Sequence, residues 1–318
     1  MPSKPKLLLP SAGCKVALMR QLERDFEVYP AGFAEDMSSC CMAGGDRFVE
    51  QPEGLDDPGY MSWLLGTCAR LKIDVILPVR DGDMVRLSNA ENKLGSLGTK
   101  LILSPRGTID VANDKLAMFK KFEGTRVRVP ETRLLGERPT NLHMPVFVKP
   151  RAGSGSRGVS RVDSLGFLNF LRAKYTDNSH VAQDIVRGQE YTVDVFCDFG
   201  DTLELTSIRE RTSVKDGQMH EGRVVSFPAL QSFAFAITQV LKFVGPVNMQ
   251  FIVDGDGIPW LIDINLRFGG GTPLTIAAGC DFVQGLRQLV DGKPVNMRAP
   301  RIGTRAISFI DYVFQEAK

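Results

Sequence analysis

Hydrophobic positions in the first third of the chain alternate between short apolar runs and segments of helical spacing. Four apolar runs predict strands, at 6–9, 27–29, 75–78 and 100–103. Between them, apolar residues three or four positions apart predict helices over 15–24, 59–71 and 83–94. This alternation predicts a parallel sheet covered by helices over residues 1 to about 105. A ligand would then lie at the carboxyl ends of the strands, near Ser11–Gly13 and Val79–Asp83.

After residue 105 the pattern changes, and strands outnumber helices. Strands are predicted over 146–148, 158–162, 181–185, 191–197, 203–209, 248–253 and 260–264. Helices are predicted over 113–122, 164–175, 229–244 and 272–280. Short turns at Phe199–Asp201 and Asp254–Gly257 predict antiparallel hairpins. We therefore expect an α/β first part followed by an α+β second part.

The composition is that of a globular protein with balanced charge. Of 318 residues, 43% are apolar and 24% are charged, which excludes a disordered chain or a collagen-like repeat. The formal net charge of +2 results from 39 basic and 37 acidic residues. This balance provides no general basic surface for nucleic acid and no polybasic membrane segment. We expect neither nucleic acid nor membrane as a partner.

Cysteine usage and hydropathy favour a cytoplasmic protein. The six cysteines form no C-x-x-C pair, and the adjacent Cys40 and Cys41 are poorly placed for two separate bridges, so we expect reduced thiols. The longest uncharged run, 224–241, contains a proline and several polar residues, which makes it too polar for a membrane span. A run of three leucines near the amino terminus is too short for a signal peptide.

A glycine-rich stretch follows the predicted strand at 146–148, with the spacing G-x-G-x-x-G at Gly153, Gly155 and Gly158. A dinucleotide-binding fingerprint would need a helix that opens at the last glycine. Here Val159–Val162 has the composition of a strand, so a hairpin loop fits better. Backbone N–H groups of such a loop can bind phosphates, with Lys149 and Arg151 or Arg157 adding charge. A nicotinamide-dependent dehydrogenase and a plain surface turn are the alternatives.

The tripeptide Asp198–Gly200 has the sequence Asp-Phe-Gly, which binds metal in protein kinases. A kinase would also need a His-Arg-Asp loop upstream and a strand lysine after its glycine loop, and the chain has neither. We interpret this segment as a turn between two strands.

Polar and apolar residues alternate near the end of the predicted strands 248–253 and 260–264. Strand side chains alternate between faces, so Asp263, Asn265 and Arg267 are expected on one side. The hairpin turn allows Gln250 onto the same side. One carboxylate, two amide oxygens and a guanidinium suit Mg²⁺ and a transferring phosphoryl group. The alternative is an exposed polar face, although the glycines 269–271 that follow leave backbone open to a ligand.

Taken in order, these motifs resemble the ATP-grasp superfamily, in its carbamoyl-phosphate-synthase-like branch of stand-alone enzymes. The resemblance covers nearly the whole chain and implies an ATP-grasp fold with a preceding Rossmann-like α/β domain over 1–105. It also implies a small ATP-grasp subdomain with a glycine-rich flap over 106–182, and a C-terminal subdomain with the metal and phosphate site over 183–318. ATP and Mg²⁺, or Mn²⁺, are the implied cofactors.

The resemblance also implies the roles of individual residues. The implied ATP-binding residues are Lys115, Lys149, Gly153, Ser154, Gly155, Ser156, Gly158, Gln183, Asp184, Ile185, Val186 and Glu190. Of these, 183–186 would contact adenine through its backbone, and Glu190 would bind the ribose hydroxyls. The implied metal ligands are Gln250, Asp263 and Asn265, and the implied catalytic residues are Lys149, Asn265 and Arg267. Gln250 and Asp263 replace the more usual glutamates, which leaves open whether one or two Mg²⁺ ions bind.

By this resemblance the protein is an ADP-forming carboxylate–amine ligase. ATP would convert a carboxylate to an acyl-phosphate, and an amine or ammonia would displace the phosphate. Small-molecule carboxylates and amines are the implied partners, and a homodimer is left open. Arg211 and His220 either approach the triphosphate or acceptor or are charges on a plain hairpin, and the loop 269–272 would bind the acceptor's carboxylate. The alternative is an ATP-binding regulatory protein without catalysis, suggested by the reduced carboxylate set.

Overall fold

The structure is a computed structural model, and three β-sheets with helices around them make up its architecture. The described residues are 3–33, 39–52, 58–137, 144–153, 158–200, 202–215, 217–309, 311–312 and 314. The predicted combination of a parallel sheet and antiparallel sheets is confirmed.

The first sheet is parallel throughout and belongs to the amino-terminal part of the chain. Its strands are β1 (Lys6–Leu9), β2 (Glu27–Gly32), β3 (Val49–Glu50), β4 (Val75–Ile76) and β5 (Lys100–Leu101). Their order in the sheet is β3-β2-β1-β4-β5. The helices are α1 (Val16–Leu22), α2 (Ser39–Gly44), α3 (Tyr60–Leu71) and α4 (Met84–Ser96). All four predicted strands and three predicted helices are present, whereas the short α2 and β3 were not predicted.

Two consecutive helices connect this part to the rest of the chain, where the sequence pattern predicted only one. They are α5 (Arg106–Asn113) and α6 (Lys115–Phe122). Asp114 separates them because its backbone is extended, at φ −120° and ψ 112°. The Asp114 carboxylate accepts hydrogen bonds from the backbone N–H groups of Leu116 and Ala117 and so caps α6. The predicted start of the helix at Asn113 was therefore wrong by two residues.

A small antiparallel sheet follows. Its strands are β6 (Thr132–Leu134), β7 (Val146–Pro150), β8 (Ser160–Val162) and β9 (His180–Asp184), with α7 (Leu165–Lys174) packed against it. Their order is β6-β9-β7-β8. The glycine-rich stretch connects β7 to β8, which pair antiparallel with Val146 opposite Val162. The hairpin interpretation is confirmed, and a strand after Gly158 excludes the dinucleotide fingerprint.

The third sheet is the largest and is antiparallel. Its strands are β10 (Gln189–Cys197), β11 (Leu203–Lys215), β12 (Gln218–Val225), β13 (Gly245–Val253), β14 (Pro259–Asn265) and β15 (Arg305–Ile307), in the order β14-β13-β10-β11-β12-β15. Its helices are α8 (Pro228–Thr238), α9 (Thr272–Ala277) and α10 (Phe282–Val290). The strands β12 and β15 and helix α10 were not predicted. Asp198–Gly200 lies at the predicted turn between β10 and β11, where the Asp198 carboxylate accepts from the N–H of Thr202.

A shared core joins the first sheet to the third. Leu7 and Leu9 of β1 and helix α1 pack in one buried cluster with Phe196 of β10, with Phe268, and with Phe282 of α10. Burying large aromatic side chains favours this association by roughly 1.5–3 kcal/mol each. The cluster places the carboxyl edge of the parallel sheet beside the end of β14.

Two further observations concern the cysteines and the helices. All six cysteines are thiols, and five of them are buried. Within the described ranges, no helix combines the length and the apolar character that crossing a membrane requires.

Candidate active site

The strands β13 and β14 bring three of the predicted metal ligands to one face. In their antiparallel pairing, Gln250 lies opposite Asp263 and Asn248 lies opposite Asn265. Directly opposed residues project to the same face of a sheet, and so do residues two apart on one strand. Gln250, Asp263 and Asn265 therefore share a face, as the alternation along the sequence predicted. A register shift after Gln250 leaves Ile262 as an extra residue in β14.

Asp263 is the only carboxylate among these three residues, and its lack of a direct partner within the described chain favours the binding of a cation. The carboxylate makes no hydrogen bond or ion pair with any described residue. Burial raises its pKa, while the positive charges of Lys115, Lys149 and Arg267 act in the opposite direction. The described part of the chain contains no cluster of three His, Cys, Asp or Glu side chains that could hold a metal. Any metal here would thus depend on amide oxygens as well as on Asp263.

Lys149 lies on β7 and is buried, with its ammonium held by a glutamine. Its Nζ donates to Oε1 of Gln183 at 2.6 Å, and Nε2 of Gln183 donates to Oγ1 of Thr132 at 2.8 Å. Burial and, to a smaller extent, the nearby charge of Lys115 lower the pKa of Lys149 to about 8, with Asp263 acting in the opposite direction. Sequence analysis assigned only the backbone of Gln183 to a ligand and missed the contact of its side chain with Lys149.

Lys115 begins α6 and reaches the glycine-rich loop. Its Nζ donates to the carbonyl oxygen of Gly153 at 2.8 Å, and its backbone N–H donates to the carbonyl of Arg151. The guanidinium of Arg151 in turn contacts the carboxylate of Asp114, the residue that caps α6. The start of the loop is therefore attached to α6 by three contacts. Burial raises the pKa of Asp114, but the contact with Arg151 and the backbone N–H groups of Ala117 and Leu116 together lower it more. The pKa therefore lies below its usual value.

The glycine-rich loop itself is described only at its ends. Gly153 has φ +130° and Gly158 has φ +71°, backbone conformations that favour glycine. Ser154, Gly155, Ser156 and Arg157, to which the sequence assigned phosphate contacts and charge, lie outside the described residues. Their proposed roles stay predictions.

The predicted adenine-binding segment runs between two sheets. Gln183 and Asp184 end β9, while Ile185 and Val186 lead toward β10. The backbone N–H of Asp184 donates to the carbonyl of Glu131 at 2.9 Å. The segment thus crosses from the small sheet to the large one.

Glu190 lies near the start of β10 and contacts Arg211. Arg211 and His220 are the two residues for which the sequence left a role open. Its Oε2 pairs with Nη1 of the buried Arg211 at 2.8 Å. Nη2 of Arg211 donates to the carbonyl of Gly217, and burial lowers the pKa of this arginine. His220 contacts Oγ of Ser308 through Nδ1 at 2.7 Å. Arg211 therefore orients Glu190, whereas His220 lies at the pairing of β12 and β15.

Arg267 connects the polar face to the amino-terminal sheet. Its Nε and Nη2 donate to the two oxygens of Asp81 at 3.0 and 2.7 Å, and Nη2 also donates to Oδ1 of Asn265 at 2.9 Å. Asn265 is buried, and its Nδ2 has no partner among the described residues. Asp81 follows β4, at the sheet edge where the sequence predicted a ligand. The sequence placed Asp81 near substrate entry but did not predict its contact with Arg267.

A buried polar network supports the glycine loop that follows. Asp194 of β10 is 1% exposed and accepts from Arg209 Nε and Nη2, Asn248 Nδ2 and Thr275 Oγ1, all within 2.6–3.0 Å. A Cβ at Gly271 would lie 1.9 Å from Nη1 of Arg209. Gly271 is therefore required for the loop to pack on the network. The only sequence signal for this network is a lone aspartate inside the apolar run 193–197, which by itself predicts no partner.

Comparison with known proteins agrees with this geometry. A sequence model of the ATP-grasp domain family matches residues 112–271, about half of the chain. Many solved structures have a similar fold, and three of them serve as examples. Biotin carboxylase from Campylobacter jejuni is 14% identical, with a TM-score of 0.73 over 92% of this chain and 72% of that one.

L-amino acid ligase from Bacillus licheniformis is 18% identical, with a TM-score of 0.70 over 91% of this chain and 74% of that one. N5-carboxyaminoimidazole synthetase from Staphylococcus aureus, in complex with ADP, is 16% identical, with a TM-score of 0.74 over 94% of this chain and 81% of that one. At these identities the likeness concerns the fold alone.

Proposed function

The chain belongs to the ATP-grasp family, and from that premise we propose that it is an ATP- and Mg²⁺-dependent carboxylate–amine ligase. In the proposed reaction, ATP phosphorylates a carboxylate and ADP leaves; an amine or ammonia then attacks the acyl carbon and releases phosphate. The observation that supports it most is electrostatic. Lys115, Lys149 and Arg267 all act on the single carboxylate Asp263, although they come from three separate parts of the chain.

Nucleotide binding is assigned to the region where the chain passes from the small sheet to the large one. Lys115 and Lys149 would bind the phosphates together with the loop from Gly153 to Gly158, which includes Ser154, Gly155 and Ser156. The segment 183–186 would bind adenine through its backbone. Glu190, held by Arg211, would accept hydrogen bonds from the ribose hydroxyls.

The metal is assigned to Gln250, Asp263 and Asn265. These residues fit Mg²⁺ or Mn²⁺ because all three supply oxygen atoms, and because the half-buried Asp263 has no cationic partner in direct contact within the described ranges. When bound, the metal would supply positive charge against the triphosphate. Asn265 would present Oδ1 to it, and this atom already accepts from Arg267.

Phosphoryl transfer would depend on positive charge at fixed positions. Arg267 is held by Asp81 and Asn265, and Lys149 is held by Gln183, so neither side chain has to reorganise during the reaction. Both cations would offset the repulsion between the triphosphate and the incoming carboxylate. The acceptor's carboxylate is assigned to the loop 269–272.

Incubation with ATP, Mg²⁺ and pools of amino acids and short carboxylic acids tests this proposal by measuring ADP and phosphate release. We expect ADP release with at least one pool, and Asp263→Ala should abolish it. Asp256→Ala, an exposed aspartate in the β13–β14 turn, is the control and should keep full activity. AMP as the only nucleotide product would refute the acyl-phosphate route.

A regulatory ATP-binding protein of the same fold is the second candidate. The observation that favours it is the single carboxylate in the candidate metal site. Tight binding of ATP without ADP release on any substrate pool would support this alternative. Small-molecule carboxylates and amines as partners, a homodimer and a cytoplasmic location remain proposals in either case.

A further inference from the structure

Lys15 lies at the same edge of the amino-terminal sheet as Asp81. Lys15 follows β1 and directly precedes α1, whereas Asp81 follows β4. The two strands pair in parallel, with Leu7 opposite Val75 and Leu8 opposite Ile76. Parallel neighbours end at the same edge, so the segments that follow them are adjacent.

The turn that precedes Lys15 is held by hydrogen bonds between Ser11 and Gln51. Ser11 has φ +47°, an uncommon value for a residue with a side chain. Its backbone N–H donates to Oε1 of the buried Gln51 at 3.0 Å, and Nε2 of Gln51 donates back to the Ser11 hydroxyl at 3.1 Å. Such strain persists where the surrounding structure over-determines it, commonly at ligand sites.

The ammonium of Lys15 is half-buried and has no hydrogen bond or ion pair with the rest of the described chain. Burial lowers its pKa, and the charge of Arg267 lowers it further. Asp81 favours the charged form, but both of its oxygens already accept from Arg267. A desolvated charge without a direct partner is costly.

Positive charge is in excess at this edge. Lys15, Arg80 and Arg267 lie near Asp81 and Asp83, and Lys115, Lys149 and Arg267 act on Asp263, which makes five cations against three carboxylates. Asp83 is fully buried, and burial raises its pKa to about 6. The excess of positive charge therefore favours the binding of one more anion.

We infer that Lys15 and Arg267 together bind the carboxylate of the substrate acid. Asp81 is then the residue that positions Arg267. The inference rests on the proposed ligase function, because Arg267 lies two residues from the candidate metal ligand Asn265. A carboxylate bound to both cations would lie beside the phosphoryl group it accepts. Lys15 is then a specificity residue supplied by the amino-terminal part of the chain.

Binding in the presence of saturating MgADP tests the site without turnover. The probes are a panel of amino acids and short carboxylic acids from acetate to glutarate, and their primary amides serve as uncharged controls. We expect at least one acid to raise the melting temperature of the wild type and of Lys93→Met, which removes an exposed lysine on α4. The same acid should give a much smaller shift in Lys15→Met, while Lys15→Arg should keep most of the wild-type shift.

MgADP alone should stabilise Lys15→Met as much as the wild type, which shows that the variant is folded and binds nucleotide. For charge-assisted hydrogen bonds, loss of the ammonium should weaken acid binding by about 10- to 100-fold. If no acid stabilises the wild type, or if Lys15→Met keeps the full acid-dependent shift, the inference is overturned.

Turnover on the same panel separates this inference from the proposed function. Lys15-dependent binding of an acid without ADP release would support the carboxylate site and refute the ligase. ADP release with an unchanged KM for the acid in Lys15→Met would support the ligase and overturn the carboxylate site. A raised KM for the acid with an unchanged KM for ATP would support both.

Discussion

At the scale of single residues, the two lysines of the candidate ATP site differ in how their charge is held. Lys115 donates to a backbone carbonyl at the entrance to the glycine-rich loop. Lys149 is buried and contacts a neutral amide, so its charge has no direct counter-ion within the described residues. A triphosphate would supply that counter-ion. The site is thus electrostatically incomplete without an anion.

The lowered pKa of Lys149 predicts a pH dependence of ATP binding. The ammonium is largely charged below about pH 8 and is lost as the pH rises above that value in the free protein. The bound triphosphate raises the pKa, so ATP affinity should be constant below pH 8 and then decrease by up to about tenfold per pH unit. Calorimetric titration of MgATP between pH 7 and 9.5 measures this.

Lys149→Arg is the matched variant, because a guanidinium remains charged over this whole range. Its ATP affinity should be nearly independent of pH, even if it is weaker overall. An equally steep decrease in Lys149→Arg would show that another group titrates.

At the scale of elements, the face that carries the candidate metal ligands depends on how β13 and β14 pair with each other and on the strands that support them. The pairing puts Gln250 opposite Asp263, and a slip by one residue would move Gln250 to the other face. Next to this pair, Asn248 is held by Asp194 of β10, which also holds Arg209 of β11. The buried network thus links three neighbouring strands to the loop that follows β14.

Gly271→Ala tests that support. The added methyl carbon would lie 1.9 Å from Nη1 of Arg209, so the loop or the network has to move. We expect a loss of about 1–3 kcal/mol in the free energy of unfolding, as for other overpacked sites. Urea denaturation measures it. Gly255→Ala is the control because a methyl carbon added there would have no neighbouring atom within 4 Å, and a similar loss there would contradict the explanation.

At the scale of the whole molecule, two kinds of contact join the amino-terminal part to the large sheet. One is the shared apolar core around Phe196, Phe268 and Phe282. The other is polar and includes the ion pairs Arg24–Asp281 and Asp81–Arg267, and the side chains of the second pair are about one-sixth exposed. The core accounts for the association of the two parts, whereas the second ion pair determines the orientation of one catalytic candidate.

Asp81→Asn should therefore affect turnover more than stability. We expect kcat to fall on the order of 10- to 100-fold because Arg267 loses its bidentate partner, as small misplacements of catalytic groups do. The melting temperature and the KM for ATP should change little. Asp291→Asn is the control, since it removes an ion pair with Arg287 at the end of α10. A large loss of stability with unchanged kcat would contradict the assigned role.

Much of the architecture was predictable because the relevant signals are local. Apolar periodicity predicted the strands β1, β2, β4 and β5 and the helices between them. Turn residues predicted the β10–β11 and β13–β14 hairpins. The elements that escaped prediction include short or polar strands such as β15, and helix α5, which Asp114 separates from the predicted helix α6.

What the sequence alone determined is the face shared by Asp263 and Asn265, because residues two apart on a strand project to the same side whatever lies around them. Only the tertiary structure decided which groups meet that face. Asp81 and Arg267 are 186 residues apart. The side chain of Gln183 on β9 reaches Lys149 on the neighbouring strand β7. Such contacts depend on sheet order and core packing, which local periodicity does not encode. The charge of Lys15 near Arg267 is likewise a product of that packing.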